Sequence, residues 1–376
     1  MSHQRMSMER IMEQAARLQP TWLRERLSAG ERAIGYSCAA TPVEVLDAAG
    51  LIPYRIRALG RQDRSLADAR MSRFNCSYCR SCLQLRLAGD LDFLEGVVET
   101  NGCDHLRGMF ENWQADRPGA FFHYLKVPHL THQDALDVYL EELGLFRDAV
   151  AVHAGREVSD EELEQAAARR QRIRASMKRV QVMRRQQAPP LTGAESLALT
   201  LIETATEAAE FEALLAELLP ALRARKVPPR RARLFLGGSA TDELELVASL
   251  EEVGAIFVAD GLCYGERTAH PPVPDVPILE RLARAYLEQL LCPRMFMEYD
   301  RRLAHYLAAA REAGVHGAVL MHNKFCDLHG VDNVQLQRDM EAAGLPVLLI
   351  EKEYGAAADM GRLQTRLQAF LERIGR

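Results

Sequence analysis

The sequence predicts an α/β protein of two doubly wound domains with mainly parallel sheets, at residues 1–131 and 229–376, plus a helical middle segment at 132–228. Near both ends, short apolar runs alternate with amphipathic stretches, which is the βαβ rhythm of a parallel sheet covered by helices. Between them, residues of about 132 to 225 show helical periodicity, many Ala, Glu and Arg, and almost no β-branched runs. A chain of 376 residues is also long for one hydrophobic core.

In the first domain "AIGYSC" reads as a strand and "TPVEVLDAAG" as a helix opened by Thr41 and Pro42 and closed by Gly50. "LIPYRIRAL" is the next strand, "CRSCLQLRLAG" a helix, "FLEGVVETNG" a strand, "CDHLRGMFENWQ" a helix and "AFFHYLKVPH" a strand. In the middle segment a long helix opens at the N-cap Ser159, followed by acidic residues, and ends before "APPLTG"; its charge run reads as a solvated face. After "KVPPRRA" come the strand "RLFLGG", the helix "TDELELVASLEEVG" and the strand "AIFVADG". The helices "ILERLARAYLEQL" and "YDRRLAHYLAAAREAG", the strands "GAVLMHN" and "PVLLIEKEY", and the helix "MGRLQTRLQAFLERIG" complete the chain.

Charged residues are 26% of the chain and the net charge is −5, so composition gives no polyanion-binding surface, and no basic stripe interleaved with aromatics argues for nucleic acid. The first thirty residues lack the apolar core of a signal peptide and no later run is apolar for about eighteen residues, so no membrane association and a cytoplasmic location are expected. Eight cysteines in such a protein point to thiols or metal ligands rather than a disulfide framework.

In doubly wound sheets ligands bind beyond the carboxyl ends of the strands. Cys38 closes "AIGYSC", Cys103 follows "FLEGVVETNG", Cys263 lies just past "AIFVADGL" and Cys326 follows "GAVLMHNKF". Buried structural cysteines have no reason to prefer strand ends, and this bias favours a cofactor. The stretch "NCSYCRSC" adds Cys76, Cys79 and Cys82 at the spacing of the first three ligands of a bacterial ferredoxin motif, without the fourth cysteine and proline, since Arg86 and Leu87 stand there. Cys76 falls at a helix start, where the dipole favours a thiolate, whereas Cys79 and Cys82 also read as helix packing. A zinc site on Cys76 and Cys79 would need a distant second pair, and no second Cys-x-x-Cys is present. His105, His322 and His329 lie near cysteines and are candidate proton donors or ordinary hydrogen-bonded histidines. "GGSATDE" lacks the lysine and spacing of a P-loop, so no ATP site is read and its glycines read as a tight turn. No nucleophile-elbow pattern supports a hydrolase.

"GYSCAATPVEVLDAAGLIPYRI", "NCSYCRSCL", "FLEGVVETNGCDHLRGMFENW", "VADGLCYGER", "HNKFCDLHG" and "PVLLIEKEYG" with "GRLQTRLQAFLE" together resemble the 2-hydroxyacyl-CoA dehydratase and benzoyl-CoA reductase family. The resemblance implies two flavodoxin-like domains with an oxygen-sensitive 4Fe-4S cluster in the cleft between them. It implies Cys76, Cys103 and Cys326 as the ligands, leaving one iron with an open position. Cys79 and Cys82 depart from the family motif and stand as extra or alternative ligands. A second branch of the family carries a fused double-cubane (8Fe-9S) cluster with about six ligands, for which Cys263 and Cys292 are available; no cysteine precedes Cys103 in "LAGDLDF", which favours the single cluster.

The implied function is an anaerobic lyase or oxidoreductase: dehydration of a 2-hydroxyacyl-CoA or reduction of an aromatic acyl-CoA such as benzoyl-CoA. Its electrons would come one at a time from a separate ATP-dependent iron–sulfur activator, which fits the absence of a P-loop here. A homologous second subunit is implied, as a heterodimer or a homodimer. Ser37 and Glu44, in the N-terminal motif, are candidates for polarising the thioester or the leaving hydroxyl, or else a turn serine and a surface helix carboxylate. The alternatives are a double-cubane reductase of small molecules, a non-catalytic electron-relay partner subunit, and a metal-free or zinc-bearing assembly module.

Overall fold

The computed structural model describes residues 7–268, 276–355 and 359–376. Helices α1 (Met8–Ala15) and α2 (Thr21–Ser28) precede β1 (Ala33–Tyr36), α3 (Glu44–Ala48), β2 (Ile52–Arg55) and α4 (Ser65–Asp68). Then come α5 (Ser77–Leu87), β3 (Leu94–Thr100), α6 (Asp104–Asp116) and β4 (Phe121–Leu125). The helices α7 (Gln133–Ala154), α8 (Asp160–Arg184), α9 (Gly193–Glu203) and α10 (Ala208–Ala224) follow without an intervening strand. The rest is β5 (Ala232–Gly238), α11 (Leu244–Glu252), β6 (Ala255–Asp260), α12 (Ile278–Leu287), α13 (Tyr299–Glu312), β7 (Gly317–Asn323), α14 (Asp327–Ala342), β8 (Val347–Lys352) and α15 (Met360–Arg373). No helix among the described residues is long and apolar enough to cross a membrane.

The strands form two four-stranded sheets, ordered β2-β1-β3-β4 and β6-β5-β7-β8. Every pairing is parallel, with Gly35 opposite Tyr54 and Val97 in the first sheet and Gly237 opposite Leu320 in the second. This repeated order is the flavodoxin-like, doubly wound arrangement, and it puts a switch point between β1 and β3 and another between β5 and β7. Gly238 ends β5 at φ +110°, and a Cβ there would lie 1.9 Å from the Met321 carbonyl oxygen, so only glycine permits this approach to β7. "GG" is thus a close backbone contact between strands.

One continuous core joins the halves, since Tyr54, Ile56 and Val97 of the first sheet belong to the same buried cluster as Leu234, Leu236 and Val319 of the second. Polar contacts fix their relative placement. The Asp242 carboxylate accepts the amides of Ala58 (2.9 Å) and Leu59 (3.1 Å) and the Tyr354 hydroxyl (2.5 Å). Arg55 donates to the Cys263 carbonyl (2.6 Å) and stacks over the Tyr264 ring.

Helix α8 opens on the Ser159 cap, whose side chain accepts the Glu162 amide while Glu162 accepts the Ser159 amide. Its charge run is not only a solvated face. Arg172, Lys178 and Arg179 are exposed, but Arg170 and Arg184 are buried. Arg170 grips Asp47 of α3 with two bonds (2.6 and 2.9 Å), and Arg174 pairs with Glu44 (2.7 Å). At the other end Arg184 pairs with Asp260 (2.5 Å) and donates to the Phe257 carbonyl, and Arg185 pairs with Glu266 (2.5 Å). The helix therefore clamps the first sheet's α3 to the end of β6 in the second sheet.

Breaking one end of this clamp leaves a buried carboxylate without its cation. Arg184→Met is expected to lower the unfolding free energy by about 3–5 kcal/mol, read by urea denaturation, whereas Arg172→Met on the exposed face leaves the midpoint nearly unchanged.

Candidate thiol-lined active site

The carboxyl ends of both sheets open onto one cavity of about 110 Å³ with a mostly apolar wall. Cys38, Cys76, Cys79 and Cys103 line it from the first half of the chain, and Cys263, Cys292 and Cys326 from the second. Seven of the eight cysteines thus meet in one place, all as free thiols. Cys82, one turn beyond Cys79 on α5, is buried in the core instead. Cys292, from the loop after α12, joins the site from a segment with no strand-end signature.

The chain places these thiols by a repeated device. Cys103 is the N-cap of α6, accepting the Leu106 amide (3.5 Å), and Cys76 and Cys326 are the N-caps of α5 and α14. Each of these three residues sits at the positive end of a helix dipole. Cys103 and Cys326 also follow the central strands β3 and β7, at the two switch points. His105 ties the three helix starts together, since its ring nitrogens meet Asn75 Oδ1 (2.7 Å), just before Cys76, and Asp327 Oδ2 (3.0 Å), just after Cys326.

The Cys76 thiol is held well below its ordinary range by hydrogen bonds from the thiols of Cys326 and Cys79. Contact with Cys103 and Cys76, with burial added, pushes Cys79 well up, and contact with Cys76 does the same to Cys326. These four thiols act on one another's titration. Cys38 is not among them; burial, with Cys292 nearby, raises its thiol. Among the described residues no three His, Cys, Asp or Glu side chains converge tightly enough to share a single metal ion.

The remaining candidates separate. Ser37 lines the cavity. Glu44 lies away from it, fully buried, accepting from Arg174 and from the Tyr286 hydroxyl (2.8 Å); burial opposes the carboxylate, but these partners hold it below its ordinary range. His322 faces the Cys326 carbonyl (3.2 Å) and Glu351, while His329 is buried in the cavity wall, and desolvation with Arg267 nearby keeps its ring neutral.

Two site residues carry no sequence signal of their own. Arg267, in the turn after Cys263, lines the cavity. Glu99 on β3 is fully buried behind Ser37, which donates to its Oε1 at 2.5 Å, as does the Thr100 amide at 2.8 Å; its Oε2 has no partner among the described residues. Burial pushes this carboxyl up to about 7 despite those two donors. The folded protein therefore keeps a proton that the unfolded chain releases near pH 4.5, and the associated stability is present below that pH and lost as pH rises to about 7. The loss amounts to about 3 kcal/mol. Glu99→Gln is expected to flatten this part of the stability profile, measured by denaturation from about pH 5 to 8.

Residues 38–374 match the family model described as 2-hydroxyglutaryl-CoA dehydratase, D-component. The chain is 24% identical over 348 residues to the (R)-phenyllactyl-CoA dehydratase beta subunit of Clostridium sporogenes, covering 92% of each chain. It is 24% identical over 351 residues to the beta subunit of the lactoyl-CoA dehydratase of Anaerotignum propionicum, again covering 92% of each. Against one of the subunits of the benzoyl-CoA reductase of Thauera aromatica it is 24% identical over 306 residues, 79% of each. With its repeated parallel sheets and a match over nearly its whole length, this chain belongs to the 2-hydroxyglutaryl-CoA dehydratase D-component family, the family of 2-hydroxyacyl-CoA dehydratase and benzoyl-CoA reductase subunits.

Proposed function

We propose that this chain is an iron–sulfur subunit of a low-potential enzyme acting on a CoA thioester, either removing the hydroxyl of a 2-hydroxyacyl-CoA or reducing an aromatic acyl-CoA. The observation that carries this reading is the meeting of seven free thiols in one apolar cavity, at the carboxyl ends of both sheets. Cys76, Cys103 and Cys326, each at a helix start, would hold a 4Fe-4S cluster, with Cys79 a further thiol lining the same cavity. Such a cluster, when bound, supplies single electrons at low potential, as needed to activate an otherwise unreactive thioester.

The chain's own residues supply the rest. The apolar wall excludes water and strengthens the electrostatics inside. Ser37, backed by Glu99 with its carboxyl raised to about 7, gives a route for a proton between the interior and a leaving hydroxyl in the cavity. The electron donor is a separate ATP-dependent iron–sulfur activator, and a homologous partner chain completes the enzyme, as the relatives' names as subunits support. The setting is an oxygen-poor, reducing cytoplasm, where free thiols persist.

A second reading has its own observation. Cys38, Cys263 and Cys292 line the same cavity as Cys76, Cys79, Cys103 and Cys326, and six or seven thiols would suit a double-cubane 8Fe-9S cluster and reduction of small molecules. Iron, acid-labile sulfide and zinc per chain, measured on protein purified without oxygen, separate the two. About four irons, lost in Cys103→Ala or Cys326→Ala and kept in Cys38→Ala or Cys292→Ala, is the expected result. About eight, falling in Cys38→Ala and Cys292→Ala as well, would move the assignment to the double cubane. Zinc or no metal would overturn both.

A further inference from the structure

Arg267 is only 4% exposed, faces the thiol cavity, and offers Nε, Nη1 and Nη2 with no hydrogen-bond partner among the described residues. The other two guanidinium groups of the wall are engaged. Arg55 is spent on the carbonyls of Ser37 and Cys263 and on the Tyr264 ring, and Arg294 on the carbonyls of Pro128 and Val127. The carboxylate that acts most on Arg267, Asp332, is already paired with Arg302. A buried guanidinium left unpaired is costly, and its five donors in a planar fork match a planar oxygen acceptor.

The surroundings repeat the pattern. His329, near Arg267 on the same wall, has a buried Nδ1 without a partner, and Asn323 has a buried Oδ1 without one, both among the described residues. Cys263 and Cys292 are the thiols that act most on Arg267. The unsatisfied polar groups and the thiols thus share the wall of one cavity. An apolar pocket with a few convergent, unsatisfied polar groups is the signature of a site that orients a ligand.

We propose that Arg267, with His329 beside it, is the oxyanion anchor of this cavity, its ligand being a carboxylate or the carbonyl oxygen of a thioester. The anchor stands on the polar inventory of the wall; its assignment to the acyl oxygen of a CoA thioester rests on the function proposed above. It fixes the acyl oxygen against the cavity wall, and the unpartnered Nδ1 of His329 offers a further polar contact.

Protein purified without oxygen is titrated calorimetrically with acetate and with acetyl-CoA, with acetamide and free coenzyme A as counterparts lacking the anionic or thioester oxygen. Iron is counted in the same samples. Acetate or acetyl-CoA is expected to bind wild type at least about tenfold more tightly than Arg267→Met, the size of a lost charged hydrogen bond. Ligand-free Arg267→Met is expected to melt at or above wild type, because an unpaired buried charge has been removed. Arg267→Lys keeps the charge and loses the fork; it is expected to bind acetate more weakly than wild type. Equal binding by wild type and both variants would overturn the anchor, and so would loss of iron in Arg267→Met, which would give Arg267 to the metal group. Iron-free wild type that still binds acetate through Arg267 would sink the cluster reading and leave the anchor standing.

Discussion

Everything at the site depends on two parallel sheets facing each other at their carboxyl ends, and that orientation is held by buried charge. Helix α8 carries Arg170 and Arg174 to the carboxylates of α3 and Arg184 to Asp260 at the end of β6, and its C-cap Arg185 pairs with Glu266 in the turn that follows. Apolar burial alone is non-directional and would tolerate sliding of one sheet past the other. Bidentate and buried ion pairs have one geometry, and the Asp242 contacts to the amides of Ala58 and Leu59 add a second constraint of the same kind. The cavity is what remains between two rigid edges.

Within that cavity two opposing effects act on sulfur. Burial in an apolar wall disfavours thiolates, while three helix starts and mutual thiol contacts favour at least one of them, at Cys76. The balance suits ligands that give up their protons when an inorganic group arrives, since metal binding and deprotonation are linked. His105 matters here as a positioning residue, because one imidazole spans the segments that carry Cys76 and Cys326 from its own place two residues after Cys103. The second function of the wall is electrostatic: Arg267 and the buried Glu99 place one cation unpaired among the described residues and one carboxyl raised to about 7 close to the thiols.

Much of this was legible in the chain. All eight strands read from apolar runs coincide with strands, and four of the seven cavity cysteines announce themselves by lying just past strand ends. Cys76 was legible from its helix-start position and Cys79 only as a neighbour of ambiguous role. Helix α14 was not legible as a helix, because its inward face is built from His329, Asp332 and Asn333 as well as Leu336 and Met340, so no apolar period of 3.6 shows. The arginines of α8 read as solvated because charge on a helix is normally outside, and only the partner carboxylates, distant in sequence, bring Arg170 and Arg184 in. Glu99 and Arg267 had no motif; their meaning comes from what they lack, a partner for Oε2 and for three guanidinium nitrogens among the described residues, and that is visible only in three dimensions.

The central claim is that thiols from both halves of the chain hold one inorganic group between the two sheets. The most direct test is a crystal structure from protein grown and frozen without oxygen, with diffraction recorded on both sides of the iron absorption edge. Anomalous density for several irons in the cavity, bonded to the sulfurs of Cys76, Cys103 and Cys326 at about 2.3 Å, the length usual for thiolate bound to a first-row metal, is the predicted result. An iron-free cavity in fully reduced, intact protein, or a single zinc on a subset of the thiols, would contradict it.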